Sequence, residues 1–174
     1  RAGRLDRRHR EDRVEENADV VVHSNLAKAF GEIDSREVML AASGMNAFYA
    51  LFQAVLEARR PAGRTIWVQL GWLYVDTMMI LQKFLGPEEE LVVIEDLSDL
   101  APVRRLLEER GEQVAAVVTE TPTNPLVQTC DLPALAELCE RSGALLVADP
   151  TSASPRNAEV LSHCDVLVNS LTKY

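Results

Sequence analysis

Lys173 follows the apolar run Val166-Leu167-Val168 after a short gap and has Ser170 and Thr172 beside it. A lysine at the mouth of a buried strand has a definite chemical use. Its amine condenses with an aldehyde to a Schiff base, and nearby hydroxyls hold a phosphate. Other stretches fit the same chemistry. Ser43-Gly44-Met45 is placed to open a helix, where glycine allows close backbone approach and exposed N–H groups attract an anion such as phosphate. Trp72 and Tyr74 offer flat rings that stack on a heterocycle. Asn124, held between Pro122 and Pro125, presents a rigid amide donor. Asp149 closes the apolar run Ala144–Ala148, and a carboxylate there needs a partner such as a protonated ring nitrogen.

Each group also has a plain structural role. A lysine after a strand is often solvated, Gly44 makes a tight turn, two aromatic residues pack, and Asp149 caps the turn before Pro150. The conjunction decides between these readings. A phosphate cradle, a stacking ring, an amide donor, a buried acid and a reactive amine match one cofactor, pyridoxal 5′-phosphate.

These groups need a scaffold that brings distant strand ends together, and the patterning supplies one. Val38–Ala42, Thr65–Val68, Leu91–Ile94, Val114–Val118, Ala144–Ala148 and Val166–Val168 read as strands, each nearly continuously apolar. Between them lie amphipathic helices. One carries Met45, Phe48, Tyr49, Phe52, Val55 and Leu56 at helical spacing. Another runs from Asp76 to Phe84 and stops before Gly86-Pro87. A third is capped by Asp99, takes Pro102 in its first turn and ends at Gly111. The last is capped by Asp131, shows Leu132, Leu135, Ala136 and Cys139 on one face, and ends at Gly143. This alternation predicts an α/β fold of three layers, a mostly parallel sheet with helices on both faces. Ligands of such sheets bind at the carboxyl ends of the strands, where the groups above are expected. Residues 1–31 read as an N-terminal arm and helix, the helix over Ala18–Phe30 with Val21, Leu26 and Phe30 facing a core. Residues 32–174 read as the cofactor-binding domain.

Composition bounds the rest. The 174 residues are 47% hydrophobic and 26% charged, with a net charge of -9. That is ordinary for a globular domain, and it argues against nucleic acid or an anionic membrane as partner. No apolar stretch is long enough to span a bilayer. Cys130, Cys139 and Cys164 lack metal-site or redox spacing and read as small core residues, so no metal is expected and a cytoplasmic setting is the default. The chain lacks an initiator methionine and stops just past Lys173, so it reads as a segment of a longer protein.

Five stretches together resemble the cystathionine γ-synthase-like, or Cys/Met-metabolism, pyridoxal-phosphate enzymes of fold type I. Ser43-Gly44-Met45-Asn46-Ala47 is similar to the family's Ser-Gly-Met-x-Ala phosphate turn. Tyr74-Val75-Asp76-Thr77 resembles Tyr-Gly-Gly-Thr, whose tyrosine stacks on the cofactor. Glu120-Thr121-Pro122-Thr123-Asn124-Pro125 resembles Glu-(Ser/Thr)-Pro-(Ser/Thr)-Asn-Pro, and Val147-Ala148-Asp149-Pro150-Thr151 resembles Val-Val-Asp-Asn-Thr. Ser170-Leu171-Thr172-Lys173-Tyr174 matches the Schiff-base lysine motif.

The resemblance implies roles. Lys173, Tyr74 and Asp149 are expected to be catalytic. Ser43, Gly44, Met45, Asn124, Ser170, Thr172 and, from a neighbouring subunit, Arg13 are expected to complete the cofactor site, with Arg4 a weaker candidate for the last role. It also implies a homodimer or homotetramer, a small amino-acid substrate and chemistry at the γ-carbon of homoserine esters or cystathionine. A C-terminal domain binding the substrate carboxylate is expected beyond this chain. Three departures stand out: Val75-Asp76 replaces two glycines, Pro150 replaces asparagine, and Asn169 stands where histidine is common. The first two leave room for a non-catalytic relative that keeps the fold. An unrelated nucleotide-binding domain fits less well, for want of a Gly-x-Gly-x-x-Gly or Gly-x-x-x-x-Gly-Lys-Ser/Thr run.

Overall fold

Strands covered on both faces show no polar alternation, and the central strands of this protein are of that kind. A computed structural model of the protein describes residues 17–31, 33–154 and 157–173. Its strands are β1 (Ile66–Leu70), β2 (Glu90–Ile94), β3 (Val114–Glu120), β4 (Leu145–Asp149) and β5 (Val166–Leu167). They form one parallel sheet in the order β2-β1-β3-β4-β5. Every residue of β1 and β3 is buried, whereas β2, at an edge, is half-exposed.

The two faces carry separate cores. On one face, Ile66, Val68, Leu70, Val117 and Leu146 pack with residues of α4 (Ala101–Arg110) and α5 (Leu132–Ser142), such as Val103 and Leu135. On the other, Trp67, Val118, Val147 and Val168 pack with residues of α2 (Gly44–Arg59) and α3 (Val75–Phe84), such as Phe52 and Leu81. The Phe52 and Trp67 rings meet at 5.0 Å between centroids. The expected three-layer α/β architecture is therefore present. β3 contains a bulge: Ile66 pairs with Val114 but Trp67 pairs with Ala116, so Ala115 has no partner in β1.

Helix limits follow local chemistry. Ser43 caps α2 by accepting the Asn46 N–H, and Asp131 caps α5 by accepting the Ala134 N–H. Gly143 ends α5 in the left-handed conformation at φ 70°. The residue before α4 is Leu100, and Asp99 accepts the Ala101 N–H from one position earlier than a cap. Among the described residues no helix is long and apolar enough to cross a membrane.

Some expectations fail. Val38–Ala42 is not a strand: Met39 is 90% exposed and Leu40 46% exposed, and the segment pairs with nothing in the sheet. Short apolar runs acquire strand geometry only where neighbours supply a ladder, and β3 and β2 already flank β1. Tyr49 is exposed rather than buried, its ring meeting the edge of Phe84 at 5.2 Å. The described residues divide into two compact units between Val38 and Met39. In the first, α1 (Ala18–Ala29) buries Ala27 and leaves Val21 exposed, against the expected face.

At the amino edge of the sheet, Arg64 closes several chain ends at once. Its Nη1 donates to the carbonyls of Gly111 and Val114 at 3.0 and 2.9 Å, and its Nη2 to that of Ser142 at 3.1 Å. A guanidinium at the ends of α4 and α5 also suits the negative poles of both helices. Arg64→Ala is expected to cost about 2–3 kcal/mol by stranding these acceptors. The check is a urea titration, with a lower midpoint at unchanged slope.

Candidate active site

The chain runs from β1 outward to β2 and then returns past β1 to β3, so the connections diverge at the carboxyl ends of β1 and β3. Such a divergence opens a crevice in a parallel sheet. A shallow cleft, open to solvent, lies there. Phe48, Leu73 and Val147 give it apolar walls, and Tyr74, Thr77, Glu120 and Asp149 give it a polar edge.

Asp149 is the last residue of β4. Its Oδ1 accepts the Thr151 N–H at 2.9 Å, and the Thr151 hydroxyl adds a second hydrogen bond. Burial raises the Asp149 carboxyl above the usual carboxylate range, and Thr151 opposes that shift. The Thr151 hydroxyl oxygen in turn accepts the Ser170 N–H at 2.9 Å. Ser170 and Thr172 join their hydroxyls at 2.9 Å.

Gly44 completes this side. A Cβ built on it would lie 2.9 Å from Ser170 Cβ and 3.2 Å from Ser170 Oγ. The amino end of α2, whose first N–H groups have no partner within the helix, therefore rests against the hydroxyl pair. Ser43 braces that end, donating to Asn46 Oδ1 at 2.7 Å while capping. The Met45 side chain turns into the core of the α2–α3 face rather than toward the hydroxyls.

The remaining candidates are placed less closely. Lys173 lies in a single turn, Leu171–Lys173, after β5, with its N–H toward the Ser170 carbonyl and its side chain exposed. Tyr74 precedes α3 and lines the cleft, whereas Trp72 is 51% exposed and lies outside its walls. Asn124 is exposed and also outside the walls, and its backbone N–H donates to Glu120 Oε2. Val75 is exposed, and Asp76 sits in the first turn of α3, where its charge suits the helix dipole. Arg13 and Arg4 lie outside the described residues. The thiols of Cys139 and Cys164 are pushed up to about 12, chiefly by burial, which leaves them protonated.

Glu120 has no assigned role in the sequence reading, which ends its strand at Val118. The strand continues two residues further and makes Glu120 its last member, 4% exposed. It stands in register with Asp149 on the neighbouring strand. Its Oε2 accepts the Asn124 N–H at 3.2 Å. Burial first, and the nearby Asp149 charge after it, push its carboxyl up to about 7 against the pull of the Asn124 N–H. The signal available in sequence was a charged residue two positions past an unbroken apolar run.

These groups fit pyridoxal 5′-phosphate. The N–H groups at the start of α2, which Gly44 lets pack closely against the Ser170–Thr172 hydroxyl pair, suit a phosphate, and the carboxyl at the end of β4 suits a protonated ring nitrogen. The sequence profile of the Cys/Met metabolism PLP-dependent enzymes matches residues 13–174. The chain belongs to this family. Pyridoxal 5′-phosphate is its cofactor, and the fold is that of the fold type I enzymes. Over 173 residues it is 43% identical to the L-2-amino-4-chloropent-4-enoate dechlorinase/desaturase of Streptantibioticus cattleyicolor, covering 99% of this chain and 34% of the relative. It is 33% identical over 152 residues to a cystathionine gamma-synthase of Neurospora crassa, covering 86% of this chain and 24% of that one. The crystal structure of metB from Corynebacterium glutamicum superimposes with a TM-score of 0.66 at 29% identity, over 76% of this chain and 33% of that one. The chain thus spans about a third or less of each of these proteins.

Two outcomes follow from this geometry. Gly44→Ala gains helix propensity of about 1 kcal/mol but forces Ser170 to move. Stability should therefore change little while affinity for pyridoxal phosphate falls at least tenfold, as read by cofactor titration of the whole protein. The second concerns pH. An acid whose folded pKa is raised holds a proton that unfolding releases, so stability falls as pH climbs from about 4.5 through about 7. Glu120 makes this loss on the order of 3 kcal/mol. Thermal melts of cofactor-free protein should decline from pH 5 to 8, and Glu120→Gln should remove most of that decline.

Proposed function

We propose that the whole protein uses pyridoxal 5′-phosphate to remove or exchange a substituent at the γ-carbon of a small L-amino acid. The observation that carries this reading is the connected set Asp149–Thr151–Ser170–Gly44, which leads from the cleft wall at Asp149 to the start of α2. It joins an acid suited to the ring to hydroxyls suited to the phosphate. The relatives agree on the carbon. Cystathionine γ-synthases act there by name, and the chlorine of 2-amino-4-chloropent-4-enoate also stands on C4, the γ-position.

The residues divide the work. Ser43, Gly44 and Met45 at the start of α2, with Ser170 and Thr172, bind the phosphate. Tyr74 would face the ring, and Asp149 would hold a proton at the ring nitrogen. The cofactor, when bound, supplies an electron sink for the carbanion formed beside the amino group. Lys173 would hold the cofactor through its amine and would move protons between Cα and Cβ of the substrate. The γ-substituent then leaves with its bonding pair, as carboxylate, thiolate or halide. A sulfur-containing or homoserine-derived substrate is the first reading. A γ-chlorinated substrate is the second, favoured by the 43% identity to the dechlorinase/desaturase. The same reading carries a homodimer or homotetramer working in the cytoplasm, with Arg13 reaching a neighbour's phosphate and Asn124 contacting the ring.

The whole protein should be assayed with activated homoserine esters, cystathionine, methionine and 2-amino-4-chloropent-4-enoate, beside an amino acid–keto acid pair. Release of a γ-substituent from at least one is expected. Asp149→Asn should lower that rate at least a hundredfold, about 2.7 kcal/mol of barrier, and borohydride should fix the cofactor on Lys173. Transamination alone overturns the reading. Bound cofactor with no turnover on any substrate points to the non-catalytic relative.

A further inference from the structure

We propose that the ring-nitrogen end of the cofactor site is a pair of carboxyl groups, Glu120 with Asp149, which hold one proton between them until the cofactor enters. This rests on the cofactor reading above and adds a positioning residue to it. The placement is direct. Glu120 and Asp149 end adjacent parallel strands as register partners, whose backbones lie about 4.8 Å apart. Both side chains line the same cleft, and the Thr121 N–H bonds the Asp149 carbonyl at 3.0 Å, tying the two strand ends together.

A backbone N–H orients each carboxyl. Asn124 N–H holds Glu120 Oε2, and Thr151 N–H holds Asp149 Oδ1. Among the described residues, the titratable groups lining the cleft are Tyr74, Glu120 and Asp149, and no lysine, arginine or histidine is among its walls. Two carboxylates lining one cleft with no cation resist ionising together, and they titrate as a pair. The upward displacement of both acids agrees with this arrangement.

A protonated ring nitrogen changes the balance. Before it binds, the pair carries one proton and one negative charge. A cation beside it favours two carboxylates, so the shared proton leaves to solvent as the cofactor enters. Glu120 then adds a second negative charge behind Asp149, and it holds the ring proton more firmly than a lone aspartate. The Asn124 contact alone would give Glu120 a different duty, that of anchoring the loop after β3. Glutamine can still accept that N–H but cannot titrate, so the two duties separate.

The test is the dissociation constant of pyridoxal phosphate for the whole cofactor-free protein between pH 5.5 and 8.5, in wild type, E120Q and E120D. The cofactor's own titration is common to all and cancels in the ratio of wild type to E120Q. That ratio should rise about fivefold from pH 7 to pH 6, the signature of one proton released on binding by a group that titrates at about 7, and should level off above pH 7.5. E120D, which keeps an acid, should retain the rise. A ratio independent of pH makes Glu120 a loop anchor and overturns the proposal. A wild type that binds no pyridoxal phosphate instead sinks the cofactor reading beneath it. A measurement without variants guards against misfolding. Infrared difference spectra of wild type at pH 6 should lose a protonated-carboxyl band when pyridoxal phosphate is added, and an unchanged band overturns the pairing.

Discussion

A carboxylate can end an apolar parallel strand only if something nearby offsets its loss of water. For Asp149 that something is Thr151, which donates through both its N–H and its hydroxyl. The same hydroxyl oxygen accepts the Ser170 N–H. One threonine thus fixes the distance between the acid at the end of β4 and the segment that follows β5. Everything assigned to the phosphate side hangs from that segment. Ser170 meets Thr172 on one side and leaves no room for a side chain at Gly44 on the other. The site is therefore a chain of contacts in which the acid, the hydroxyls and the start of α2 cannot shift independently.

Buried polar networks of this kind are strong only when each member is satisfied. Asp149 and Glu120 are each held by a backbone N–H, which orients them without neutralising them. The cleft walls supply no cation among the described residues. The cofactor-free protein thus stores unfavourable electrostatics at the place where a positively charged ring belongs. Sites arranged this way trade stability for readiness to bind.

Much of this was legible from residue order alone, and for identifiable reasons. β1, β3 and β4 are unbroken apolar runs, and helices capped by Ser43 and Asp131 begin where those side chains can accept N–H groups. The motif residues fall at strand ends because that is where a covered parallel sheet leaves backbone free for a ligand. What escaped depends on contacts between distant segments. Val38–Ala42 has the composition of a strand but no neighbour to pair with. Tyr49 keeps helical spacing yet stands at the margin of its face, beside Phe84. Asn124 stands in the expected loop, and its backbone N–H, which no residue type specifies, is what holds Glu120. Glu120 escaped because the apolar run stops at Val118, whereas register with Asp149 carries β3 two residues further.

The unpaired Ala115 has a consequence for the parity of β3. Side chains along a strand alternate between faces, so a single extra residue inverts the phase of everything after it. Val114 packs on the α4–α5 side, and after the inversion Val117 does so too, while Val118 packs on the α2–α3 side. Counting onward, Glu120 falls on the side that holds the cleft. Were β3 regular, the same sequence would aim Glu120 into the apolar layer beneath α5 and offer Thr119 to the cleft in its stead. A one-residue irregularity at the far end of the strand thus selects which chemistry its tip presents. For descendants of this sequence, insertions or deletions within β3 are tolerable only in compensating pairs.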